Sequence, residues 1–212
     1  MLTFRRHYLD KLLSETKFSG RVLDAGGSRN NRRGEFEPPL EQVEQWVFLN
    51  TDPSVVPDII SDVQSMALKD ASFDTILLAE VLEHVENPGA VLRECHRVLG
   101  RDGVLVLTMP FLFPLHPDPN DFQRWTPDKI RIELETLGFS VRRIEPMGGT
   151  FAVLHDIFRY GLVRSPYRQR LLNRLMWRFG LPLIQMAVKI VDQRLLKNDF
   201  STTGFYVSAR KN

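Results

Sequence analysis

Cysteine is scarce in this chain. Its one cysteine, Cys95, has no second thiol to pair with, which fits a reducing compartment and argues against a small stapled secreted fold. Nowhere do about 18 apolar residues follow one another without charge, so no membrane-spanning helix is expected. The opening residues, Met1-Leu2-Thr3-Phe4-Arg5-Arg6-His7, lack both a long apolar run and a small-residue cleavage site, so no signal peptide is expected and the compartment is read as cytoplasmic. A G-x-G-x-x-G run is missing, because Ser28, Arg29, Asn30 and Asn31 follow Gly27, and no Gly-Lys-Ser/Thr triplet follows a strand. Those absences set aside the dinucleotide fingerprint and the P-loop. No His, Cys or carboxylate group has the spacing of a metal-ligand set, so no metal is expected. The basic residues are not interleaved with stacking aromatics in a recognised motif, so no nucleic-acid partner is expected.

What is present is ordinary in bulk and uneven in detail. With 43% hydrophobic and 25% charged residues over 212 positions, the chain suits one globular domain with a sizeable core. Residues 157–197 hold nine Lys or Arg against one Asp, a net +8; since the whole chain carries +2, the remainder carries −6. Such asymmetry points to a surface with a separate task.

The stretch Gly20-Arg21-Val22-Leu23-Asp24-Ala25-Gly26-Gly27-Ser28-Arg29 reads as a buried strand running into a glycine turn. The turn lets the backbone approach a ligand closely, at the strand end where open α/β sheets bind ligands. Before it, residues 4–18 predict a helix with Tyr8, Leu9, Leu12 and Leu13 on one face, stopped by Ser19-Gly20. After it, Pro38-Pro39 and Gly34 predict a loop in place of a full crossover helix over residues 30–45. Residues 46–50 predict a second strand. Asp52, 26 positions past Gly26, then stands where an acidic residue can accept hydrogen bonds from both hydroxyls of a ribose; alternatively Asp52-Pro53 is a turn. Residues 58–63 predict a short third strand, and 73–80 a strongly apolar fourth. A helix over 88–99 opens on Pro88 and is stopped by Gly100, with Cys95 on its apolar face. Residues 103–110 predict a strand buried on both sides. Thr126 and Pro127 open another helix, and alternating strands follow over 139–145 and 204–210.

Two segments carry a family resemblance. Asp24-Ala25-Gly26-Gly27-Ser28 resembles the first motif of class I S-adenosylmethionine-dependent methyltransferases, although Ser28 and Asn30 stand where that family usually has glycines. Phe73-Asp74 followed by Glu80-Val81-Leu82-Glu83-His84-Val85 resembles the fourth-strand segment of the branch that methylates small molecules, the type 11-like branch. The resemblance implies a Rossmann-like α/β sheet of seven strands with helices on both faces, the last strand antiparallel. It also implies S-adenosylmethionine as cofactor, bound by Asp24, Ala25, Gly26, Gly27, Asp52, Asp62, Val63, Ala79 and Glu80. Asp62 then meets the adenine amino group, or else caps a turn. Ala79 and Glu80 leave the fourth strand beside the donor's methionine end.

The loop at 111–126 should overhang the same pocket. It gathers His116, Asp118, Asp121, Arg124 and Trp125 among Pro114, Pro117 and Pro119, the aromatic-plus-polar make-up of a small-molecule site. Bacterial members of this branch carry a similar segment. His116, with its ordinary pKa near neutral, and His84 are candidate general bases on an acceptor hydroxyl. Arg124 is a candidate for holding an anionic group, with Asp118, Asp121 and Trp125 beside it; the competing reading has Asp121 and Arg124 brace the loop and Trp125 fill the core.

The chain is thus read as one domain, 1–212, with a helical insertion at 146–203 before the last strand. Helices are expected over 167–179 and from Pro182 to about Lys197. They form a lid over the acceptor pocket, a solvated cap or dimer contact, or an interfacial hairpin against anionic lipid at the inner face of the membrane. The function implied is methyl transfer to a small-molecule, glycan or lipid-linked acceptor. The alternatives are a catalytically silent S-adenosylmethionine-binding scaffold and a peripheral membrane-binding module.

Overall fold

A computed structural model describes residues 2–30, 34–164, 175–194 and 201–212. Among them, strands β1 (Arg21–Ala25), β2 (Gln45–Asn50), β3 (Ile59–Ile60), β4 (Phe73–Ala79), β5 (Leu99–Pro110), β6 (Phe139–Pro146) and β7 (Gly204–Lys211) form one sheet in the order β3-β2-β1-β4-β5-β7-β6. The pairs β1–β2, β2–β3, β1–β4 and β4–β5 are parallel. β7 runs antiparallel to both of its neighbours, β5 and β6. The strand order reverses at β1/β4, so the carboxyl ends of β1, β2 and β4 diverge around a crevice.

Period-2 alternation sorts side chains between two cores. Leu23, Ile76, Leu78, Leu105, Leu107, Phe205 and Val207 face helices α2 (Pro88–Val98) and α3 (Pro127–Thr136), where Leu92, Cys95, Ile130 and Leu134 lie buried. Val22, Leu77, Val106 and Tyr206 face α1 (Phe4–Ser14), which contributes Leu9, Leu12 and Leu13. Side chains cap the helices where expected: Thr3, Asn87 and Thr126 accept from the N–H groups of Arg6, Ala90 and Lys129, with Pro88 and Pro127 in the first turns. Cys95 is a core residue whose thiol is pushed up to about 12 by burial.

Several elements differ in length from expectation. α1 stops at Ser14: the Thr16 N–H donates to the Leu13 carbonyl at 3.1 Å, while the Thr16 hydroxyl takes the Leu12 carbonyl at 2.7 Å, the acceptor its amide would have in a continued helix. β3 is only Ile59–Ile60, since the flanking Asp58 spends its carboxylate on the Phe48 N–H at 2.9 Å and Asp62 turns the chain toward Gln64. Gly100 does not stop α2; Leu99 already pairs with Phe73, and a register shift follows before the main ladder.

Between β6 and β7 lie α4 (Thr150–Arg164), which the sequence did not announce, a π-helical turn (Met176–Gly180), and α5 (Leu181–Arg194). The expected helix over 167–179 falls mostly on residues outside those described, as does the end of the helix placed to Lys197. Ala152 of α4 and Val188 of α5 are buried with Phe4 of α1. No helix among the described residues is long and apolar enough to cross a membrane.

Candidate active site

At the carboxyl end of β1 the chain turns at Gly26, whose φ of +92° lies in the left-handed region. A Cβ there would meet the Val81 side chain, and one on Gly27 would run into the Asp24 carboxylate. Asn50, the last residue of β2, clamps the turn: its Nδ2 donates to the carbonyls of Gly26 and Gly27 at 3.0 and 3.1 Å. The Gly26 N–H donates to the Leu49 carbonyl at 2.7 Å.

This turn opens on a cleft of about 760 Å³. Asp24, Gly26, Gly27, Asp52, Asp62, Val63, Ala79 and Glu80 all line it, with Leu9, Asp10 and Leu13 of α1 as one wall and Val81, His84 and Asp118 at one end. The expected cofactor-binding residues therefore converge, with one correction. Ala25 is buried in the sheet core, because the alternation that turns Asp24 to the cleft turns its neighbour the other way.

The acids differ in electrostatic state. Burial pushes the Asp24 carboxyl up to about 7. The Ser54 hydrogen bonds hold Asp52 below the usual carboxylate range; the Ser54 N–H lies 2.8 Å from its Oδ1. Asp62 accepts from the Gln64 N–H at 2.8 Å, so it caps a turn while lining the cleft. Glu80 sits at φ +57° and forms a buried ion pair with Arg5 of α1. The Arg5 guanidinium stacks over Phe113 at 4.1 Å.

Beyond Val81 a helical turn, Leu82–His84, is stitched to the 111–126 loop. The Phe122 N–H donates to the Glu83 carbonyl at 2.8 Å, and the Gln123 amide donates to the carbonyls of Leu82 and Val85 at 2.9 and 3.1 Å. This stitching brings His116 to His84, ring centroids 5.3 Å apart. Both rings face Glu83, whose side chain has no exposed surface and whose two carboxylate oxygens have no hydrogen-bond partner. Burial raises the Glu83 pKa.

In the loop the bracing alternative describes Arg124 and Trp125, and the pKa expected of His116 changes. Arg124 is spent on Asp121, with Nη2 to Oδ2 at 2.7 Å, and so braces the loop. Trp125 is in the core, its indole donating to the Gln123 side chain at 2.9 Å, and is not presented to an acceptor. Burial, with the Arg5 guanidinium nearby, lowers the His116 imidazole to about 4 instead of leaving it near neutral. Sequence reading missed Glu83, Arg5, Asn50 and Asp10. For Asn50 the strand-end position was the available signal; the others depend on partners remote in sequence.

The match to known proteins follows this geometry. Residues 39–107 match the family model described as "Methyltransferase domain". No curated protein sequence matches the chain. A SAM-dependent methyltransferase from Archaeoglobus fulgidus superposes with a TM-score of 0.58 at 19% identity, covering 97% of this chain and 94% of that one. Phosphoethanolamine N-methyltransferase 2 of Haemonchus contortus, solved with S-adenosyl-L-methionine, gives 0.55 at 13% identity, over 96% of this chain and 52% of that one. The [4+2]-cyclase SpnF gives 0.58 at 18% identity, over 96% and 80%. The matched segment, about a third of the chain, carries β2, β3, β4, α2 and most of β5, and the superpositions show that the chain shares its fold with S-adenosylmethionine-dependent methyltransferases.

Proposed function

We propose that the chain, as one domain over residues 1–212 with a helical cover at 146–203, moves a methyl group from S-adenosylmethionine to a small-molecule, glycan or lipid-linked acceptor. One observation carries this reading: Asp24 and Asp52 open onto a single cleft with the glycine turn between them, and that cleft runs on to His84. In this reading Asp52 takes the ribose hydroxyls with the carboxylate oxygen Ser54 leaves free, and Asp62 with Val63 borders the adenine. Ala79 and Glu80 border the methionine end, and Asp24 supplies negative charge near the donor's cations. The acceptor enters beside His84, His116 and Asp118. Holding the sulfonium methyl in line with an acceptor lone pair contributes about 7–11 kcal/mol through proximity alone. The C–S bond breaks with its electron pair going to sulfur, and the acceptor loses one proton.

Calorimetry with S-adenosylmethionine, followed by incubation of cell extract fractions with labelled donor, tests the proposal. Donor binding with label in an extractable product supports it, and no binding at saturating donor overturns it. Binding without transfer to any fraction supports the scaffold alternative instead, which the non-glycine residues Ser28 and Asn30 favour.

A second observation bears on location. Ile157, Phe158, Phe179, Leu183 and Met186 are exposed, within the 157–197 segment that carries net +8. That combination supports peripheral contact with an anionic membrane face, next to the loop under which the acceptor enters.

A further inference from the structure

Among the described residues, one group brings three ligand-type side chains together: Glu83, His84 and His116, whose ligand atoms lie within 4.8 Å of one another. Each imidazole is oriented from behind. The Asn120 carbonyl lies 2.6 Å from His84 Nδ1, and the Pro114 carbonyl lies 3.1 Å from His116 Nδ1. In His84 the carbonyl fixes the hydrogen of a neutral ring on Nδ1 and leaves the Nε2 lone pair free; in His116 the Pro114 carbonyl at 3.1 Å favours the same tautomer over the more distant Arg124 Nη2 at 3.4 Å. Both Nε2 atoms face the same carboxylate oxygen, Glu83 Oε1, at 3.7 and 3.9 Å. A carbonyl behind each histidine is the arrangement that fixes metal-binding imidazoles.

Glu83 makes the case for a cation. A buried carboxylate without a hydrogen bond is costly, and the neighbouring arginines are committed elsewhere, Arg5 to Glu80 and Arg124 to Asp121. Zinc bonds of about 2.0–2.2 Å to nitrogen and oxygen need ligand atoms a little over 3 Å apart. The Glu83–imidazole separations exceed that by about half an ångström, and with all ligand atoms within 4.8 Å of one another the side chains close on an ion by moving about 0.5–1.5 Å. Two imidazoles and one carboxylate suit a first-row transition dication and leave a coordination position open.

We propose that Glu83, His84 and His116 bind a divalent transition-metal ion, zinc being the redox-silent choice, at the acceptor end of the cleft. The ion takes an acceptor hydroxyl or carbonyl oxygen in its open position. For a hydroxyl acceptor, coordination lowers the pKa of the O–H, the proton passes to solvent, and the oxygen takes the methyl group as the C–S bond breaks. This use of the ion rests on the methyl-transfer reading above; the binding site itself does not.

The test is equilibrium dialysis of the full chain against zinc and, separately, cobalt(II), with bound metal and cobalt absorption bands as readouts. One ion per wild-type chain is expected, with visible bands of a low-coordinate cobalt site. Glu83→Gln and His116→Gln should each weaken uptake about tenfold or more, while His96→Gln, remote from the cluster, retains it. Added zinc should raise the melting temperature of the wild type and not that of Glu83→Gln. Absence of uptake by the wild type, or uptake unchanged by both cluster substitutions, overturns the site. Donor calorimetry on the same samples separates the two ideas: donor binding without metal uptake removes only this inference, and metal uptake without donor binding removes only the methyl-transfer reading.

Discussion

The carboxylate of Asp156, in α4, caps the start of α1: its Oδ1 accepts from the Phe4 N–H at 2.8 Å. Its Oδ2 accepts from the Arg5 N–H at 2.9 Å. A negative charge at a helix N-terminus is favourable on electrostatic grounds as well. The contact joins α4 to the cleft, because Arg5 is the residue that pairs with Glu80 at the end of β4.

Asp156→Ala should therefore cost stability and disturb the cleft together. Leaving two buried N–H groups without acceptors costs about 2–3 kcal/mol, a melting temperature roughly 4–10 °C lower in a chain of this size. Asp156→Asn keeps one acceptor oxygen and should lose about half as much. Thermal unfolding of the three proteins checks the ranking, and an alanine variant as stable as the wild type would refute the capping argument.

The glycine turn gives a second expectation. Gly26→Ala puts a Cβ at φ +92° against the Val81 side chain, and Gly27→Ala pushes on the Asp24 carboxylate. Strain of this kind costs about 1–3 kcal/mol. It falls on the wall of the cleft, so donor affinity should drop by about tenfold or more, with far-UV circular dichroism unchanged. Calorimetric affinities equal to wild type for both variants would show that the donor lies elsewhere.

Much of this architecture was legible because it is periodic. Apolar runs named β4 and β5, alternation named β6 and β7, and Asn87-Pro88 and Thr126-Pro127 announced two helix starts. The residues expected to bind the donor lie at strand ends and, apart from Ala25, line one cleft; Ala25 faces the core on the other side of β1. The cluster of Glu83, His84 and His116 was not legible, since it depends on Phe122 and Gln123 tying a proline-rich loop to the turn after β4. α4 escaped notice because its apolar residues, among them buried Val153 and exposed Leu154, Ile157 and Phe158, mark no single face. The ion pair between Arg5 and Glu80 requires the packing of α1 on the sheet, which no local pattern states.

Asp24 should couple donor binding to pH. Its pKa is raised by burial to about 7 in the folded chain, against about 3.9 when unfolded. The folded state therefore holds a proton that the unfolded state has lost across the window from about pH 4 to 7. This contribution to stability is fully present below that window and is lost as pH rises through about 7. Asp24→Asn should flatten the decline and gain stability relative to wild type at pH 8. Donor affinity should move the opposite way in the wild type, strengthening as Asp24 ionises beside a cationic ligand. Calorimetry in two buffers of different ionisation enthalpy should then detect proton release near pH 6.5 that the asparagine variant lacks. A pH-independent affinity with no proton release would place Asp24 outside the donor's electrostatic reach.

The insertion presents apolar side chains and positive charge on neighbouring surfaces. Ile157, Phe158, Leu183 and Met186 are exposed, and the exposed Arg164 and Arg178 lie over the rings of Tyr160 and Phe179. Each basic residue near an anionic leaflet contributes about 1 kcal/mol within a Debye length, and apolar insertion adds about 25 cal/mol per Å² buried. Neither alone gives firm attachment at physiological salt, so binding should require both. The full chain should float with vesicles containing anionic lipid, float poorly with neutral vesicles, and detach on raising salt. Ile157→Asp with Phe158→Asp should abolish flotation while leaving donor affinity unchanged, because these side chains do not line the cleft. If the wild type fails to float on anionic vesicles, or the double variant floats as well as the wild type, the surface is not a membrane face. A concentration-dependent shift in gel filtration that the same substitutions remove would instead assign it to contact between two copies of the chain.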